Sequence, residues 1–110
     1  MTITDFQKQL LVTLVRSRID GGSHYLMLPD LAGQLGADVT TVTNALATLG
    51  EWFTSEALPD LTSIAIPEEN AGRMVMLPAQ ETIDRLGGEA NAREEANRVR
   101  DFDWQGWLNA

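Results

Sequence analysis

Phe6, Leu10, Leu11, Leu14, Val15 and Ile19 recur at helical spacing, and Lys8, Arg16 and Arg18 fall largely off that stripe. This is the pattern of an amphipathic helix. Thr4 and Gln7 stand three apart at its start, the spacing of a capping box. The pattern predicts a first helix over residues 5–19, broken by the backbone freedom of Gly21-Gly22. The apolar run SHYLML, residues 23–28, fits a brief strand. Pro29 suits the first turn of a second helix over residues 29–35, closed by Gly36. Asp38 is a good N-cap for a third helix. Val39, Val42, Leu46, Leu49 and Phe53 then follow spacings of 3, 4, 3 and 4, and Ala45 widens the face.

Downstream the period changes. Residues 61–66 and 73–77 are rich in β-branched and apolar side chains, and residues 67–72 between them carry turn chemistry. A β-hairpin is the natural expectation. A short helix over residues 78–86 ends at Gly87-Gly88, and a last helix covers residues 89–102. On it, Glu89–Arg93 and Glu94–Arg98 are favourably oriented i,i+4 pairs. Phe102, Trp104, Trp107 and Leu108 close the chain.

Three helices followed by a hairpin is the order of a winged helix. Ala32 and Gly33 are small where two helices approach, Gly36 lies at the turn, and Val42 and Leu46 sit where the second of the pair would anchor. Residues 5–78 thus resemble winged helix-turn-helix domains. The resemblance implies an α+β domain of three helices plus a β-hairpin, with a C-terminal helical extension over residues 79–110. Such folds serve both as DNA readers and as protein-contact modules. As a DNA reader, the helix over residues 38–50 would present Thr40, Thr41, Thr43, Asn44 and Thr48 to the major groove. Asn44 can in principle pair with adenine, while Arg16, Arg18 and Arg73 would flank the site.

Charge argues against that use. Sixteen Asp and Glu oppose eight Lys and Arg, for a net charge of −8. DNA affinity comes largely from phosphate neutralisation, yet Asp30, Asp38 and Glu51 bracket the third helix, and the hairpin tip carries Glu68 and Glu69. An acidic surface favours basic partners instead. Glu51, Glu56, Asp60, Glu68 and Glu69 are the candidate contacts to a protein with a basic surface, and DNA binding is the alternative.

A second resemblance begins at LPDLTSIAI, residues 58–66, and ends at VRDFDW, residues 99–104. Tyr25, Leu31-Ala32, Leu35-Gly36, Leu58-Pro59, Leu61-Thr62, Val99, Phe102, Asp103 and Trp104 match it. This pattern is similar to that of a small uncharacterised prokaryotic domain common in phage and mobile-element neighbourhoods. The chain departs from it in the loop NAGRMVMLPA, residues 70–79. The resemblance implies a phage or genomic-island setting; in such a setting the acidic surface reads as that of an inhibitor of a basic, nucleic-acid-binding host protein.

Catalytic chemistry has little to build on. His24 is the only histidine, and Ser23 beside it would point to the opposite face of a strand. Asp101 and Asp103 are a weak cation signal without further placed ligands. No phosphate-binding glycine loop is present. The expectation is a non-enzymatic protein without cofactor or metal. Zero Cys, no apolar run of membrane-spanning length and no signal-like N-terminus fit a cytoplasmic protein. Trp104 and Trp107 have two readings: they seal the core beneath the first helix, or they anchor a homodimer or partner.

Overall fold

The computed structural model describes residues 2–21, 25–74 and 76–109. The expectations placed on Gly22, Ser23, His24 and Val75 lie outside the described residues. Along the chain run α1 (Asp5–Gly21), β1 (Leu26–Met27), α2 (Leu28–Leu35), α3 (Val39–Ser55), β2 (Ala65–Ile66), α4 (Gln80–Leu86), α5 (Glu89–Asp101) and α6 (Trp104–Asn109). Short 3-10 turns at Leu61–Ile64 and Glu68–Asn70 flank β2.

Local chemistry sets the first three helices. The Thr4 N–H donates to Gln7 Oε1 at 2.8 Å and the Gln7 N–H to Thr4 Oγ1 at 3.1 Å, a reciprocal cap. The helix it starts buries Leu10, Leu11, Leu14 and Val15. Gly36 ends α2 at φ 63°, a left-handed conformation without penalty for a residue lacking Cβ. The Ala37 N–H then reaches back to Ala32 O at 3.0 Å. Asp38 caps α3 by accepting the Thr41 N–H at 2.7 Å. That bond, joined by one from the Thr41 side chain, holds the Asp38 carboxyl below its ordinary range. Val42, Leu46, Leu49 and Phe53 are buried as their spacing requires, whereas Val39 at the head of the same stripe is exposed.

The expected winged helix does not form. Six helices dominate the described chain, and its sheet is a pair of two-residue strands, parallel rather than antiparallel. Leu26 pairs with Ala65 and Met27 with Ile66, so the strand partner of residues 65–66 is β1 and not the described residues 73–74 or 76–77. The cause lies in Asp60-Leu61-Thr62-Ser63. Asp60 Oδ1 accepts the Thr62 N–H at 2.9 Å, and the Ser63 hydroxyl donates to Asp60 O at 2.7 Å. Such local bonds compete with a strand ladder and wind the segment into a 3-10 turn. Residues 59–67 are moreover buried without interruption, which leaves no solvent-facing side for a hairpin. Residues 71–74 are all exposed, and the loop closes through Asn70 Nδ2, which donates to Leu77 O at 2.9 Å.

The C-terminal helices complete the core. α5 packs on the Leu61–Ile64 turn and α6 on α1. Ala96, Val99 and Trp104 join Leu14, Phe53 and Ile64 in one buried cluster. Trp104 is 3% exposed, its ring edge-on to Phe53 at 6.2 Å and to Trp107 at 5.9 Å. Its Nε1–H donates to Val99 O at 2.8 Å, so the one polar atom of the buried indole is satisfied.

Candidate functional site

Three elements meet at Asp60. Its Oδ2 takes Arg85 Nη1 from α4 at 2.5 Å, and its Oδ1 takes the Thr62 hydroxyl at 2.5 Å. Arg85 Nη2 donates to Thr62 Oγ1 at 3.0 Å, closing a three-residue ring. From the other side, the Asp60 N–H donates to Glu95 Oε2 of α5 at 2.8 Å, and Glu95 Oε1 accepts from Arg98 at 2.7 Å. The expected Glu94–Arg98 pairing is thus replaced by Glu95–Arg98, three apart. Gly50 of α3 faces this ring, and a Cβ there would overlap the Arg85 guanidinium.

The Asp60 side chain is 3% exposed and that of Arg85 is 23% exposed. A buried carboxylate is tolerated only when paired and hydrogen-bonded, and here both conditions hold. Asp60 therefore fastens α4 to the 3-10 turn and is not part of the acidic surface on which it was expected.

Above the ring a cleft of about 220 Å³ opens between α3 and α4. Leu28, Leu46, Ala47, Ala65 and Ala79 give it apolar walls. Thr43, Thr82 and the ring members Thr62 and Arg85 give it polar ones, and Glu51 and Glu81 line it while remaining exposed.

The expected site residues separate on this scaffold. Of the acidic set, Glu51 lines the cleft, whereas the exposed Glu56, Glu68 and Glu69 do not. Of the DNA set, Thr40, Thr41 and Asn44 are exposed and Thr48 is half-buried. Thr43 is half-buried, and its hydroxyl donates to Val39 O at 2.8 Å within its own helix. Arg16 and Arg73 are exposed, while Arg18 turns inward, its Nη2 donating to Arg100 O at 3.3 Å. Trp104 is in the core and Trp107 is half-buried against it.

Glu81 and Arg85 were missed. Their i,i+4 spacing reads as an ordinary surface pair on a short helix, yet Arg85 pairs with Asp60, twenty-five residues away. Asp103 is not one of a metal-binding group: its Oδ1 accepts the Gly106 N–H at 2.9 Å at the start of α6. Among the described residues no three His, Asp or Glu gather to hold a metal ion. No described helix is long and apolar enough to cross a membrane.

The surface is more one-sided than the composition. Fourteen of the sixteen carboxylates are exposed, against five of the eight cations. The three partly buried cations face the protein: Arg85 holds Asp60, Arg18 reaches the end of α5, and Arg100 lies over the Tyr25 ring at 4.9 Å. The chain matches no protein-family model, and no curated protein or solved structure is significantly similar to it.

Proposed function

We propose that this chain is an acidic protein-interaction module that binds a basic surface of a protein partner and competes there with nucleic acid. The observation that carries the reading is the charge distribution, fourteen exposed carboxylates against five exposed cations. Surfaces that hold nucleic-acid phosphates are built of Lys and Arg, and an acidic face is their complement. The resemblance to a domain of phage and mobile-element neighbourhoods accords with an inhibitor of such a partner. DNA reading by residues 38–50 draws less support. The Thr43 hydroxyl is engaged within α3, and Asp30, Asp38 and Glu51 are exposed around that helix.

The experiment is a displacement assay by fluorescence anisotropy, with a labelled DNA duplex bound to salmon protamine, a basic nucleic-acid-binding protein. The chain is expected to release the duplex from protamine and, alone at physiological salt, to leave its anisotropy unchanged. Glu68→Lys with Glu69→Lys weakens the release. Sequence-specific binding of duplex by the chain alone, lost in Asn44→Ala, would overturn the reading.

A further inference from the structure

We infer that the cleft between α3 and α4 receives one arginine side chain of the partner, an inference that rests on the interaction reading above. Size comes first. Sites for drug-sized ligands run to roughly 300–1,000 Å³, and this cleft, at about 220 Å³, is the size for a single side chain. Its lining is divided in the way a long cationic side chain is divided. Leu46, Ala47, Ala65 and Ala79 supply apolar wall for an aliphatic stem, and Glu51 and Glu81 supply exposed carboxylates for a charged head.

The cation already in the cleft does not oppose this occupant. Arg85 is neutralised by Asp60 at 2.5 Å and oriented by Thr62 at 3.0 Å, so the charge left on the lining is that of Glu51 and Glu81. An acidic ligand would meet those two carboxylates and find the guanidinium already engaged. Arginine fits better than lysine because its planar fork presents several donors, enough to meet carboxylates from two different helices, and because it is more weakly hydrated. Glu51 comes from α3 and Glu81 from α4, and the Asp60–Arg85 pair fastens α4 to the 3-10 turn beneath the cleft, so the two helices that carry these glutamates line one cleft before any partner arrives.

The test titrates the full ¹⁵N-labelled chain with acetyl-Gly-Arg-Gly-amide and follows backbone amide shifts. Two further peptides carry citrulline, of the same shape but uncharged, or glutamate in place of arginine. The arginine peptide is expected to move the amides of Ala47, Glu51, Glu81 and Thr82, and the other two to leave them still. Glu51→Gln with Glu81→Gln weakens the peptide about tenfold through the lost charge-assisted hydrogen bonds. Glu68→Gln with Glu69→Gln leaves it unchanged. Both glutamates are exposed, so the variant keeps its fold, and the dispersion of its spectrum verifies this. Shifts scattered over the acidic surface and indifferent to the cleft pair overturn the inference. So does occupation by the glutamate peptide, or silence of the arginine peptide. In these cases protamine displacement still decides the interaction reading separately, and a chain that displaces nothing overturns that reading as well.

Discussion

Arg85 Nη1 lies 2.5 Å from Asp60 Oδ2, joining α4 to a segment twenty-five residues earlier in the chain. Breaking one partner of such a pair leaves a charge in a site built for two, which costs about 3–5 kcal/mol in buried examples. The charge left behind sets the cost: Arg85→Met strands the Asp60 carboxylate, 3% exposed, and stands at the upper end of that range, whereas Asp60→Leu leaves a guanidinium that is 23% exposed and stands at the lower end. The double variant should lose less than the two single losses combined. Urea unfolding of the four proteins measures this, and strict additivity would show that the pair does not act as one.

Gly50→Ala reverses its usual sign here. In a helix interior the substitution ordinarily stabilises by about 1 kcal/mol. At this position the new Cβ overlaps the Arg85 guanidinium and forces it off Asp60. The variant should be destabilised in the natural background and stabilised relative to its parent when Arg85→Ala is also present. A gain in both backgrounds, read from thermal unfolding, would refute the contact.

Asp38 gives a pH-dependent contribution. Its folded carboxyl is held below its ordinary value of 3.8 by the Thr41 N–H. A depressed folded value means that the stabilisation is present above the ordinary value and is lost as pH falls through the folded one. Asp38→Ala should therefore be less stable than the natural chain at neutral pH, and the gap should close in the acid range below pH 3.8. A gap that persists there would show that capping charge is not the source.

Trp104 and Trp107 should differ sharply. Removing a buried Trp side chain costs about 3–5 kcal/mol, and Trp104 is 3% exposed with its N–H engaged by Val99 O. Trp107→Ala, at a half-buried position, should cost distinctly less. Chemical denaturation of both variants checks the order, and equal losses would contradict the packing described for α6.

Helices α1 to α5 and the caps of the first three were legible in the sequence because each is set by residues a few positions apart, whereas α6 (Trp104–Asn109) is not predicted by it. Thr4 with Gln7, the turn at Gly36, Asp38 with Thr41, and the buried stripe from Val42 to Phe53 all act over a single turn or face. The acidic character was equally plain, since charge is a sum over residues. What the sequence left open was every choice that depends on a distant neighbour. Residues 61–66 carry strand composition, but Asp60 and Ser63 bind them locally and burial on all sides removes the hairpin's open face. Asp60 looks like any other surface carboxylate until α4 brings Arg85 to it, and Glu81 looks like the partner of Arg85 until that guanidinium turns to Asp60. Local hydrogen bonds and periodicity settled where the first five helices lie. Which carboxylates are buried, which face solvent and which two share a cleft was decided by tertiary packing, because desolvation and pairing exist only once separate segments meet.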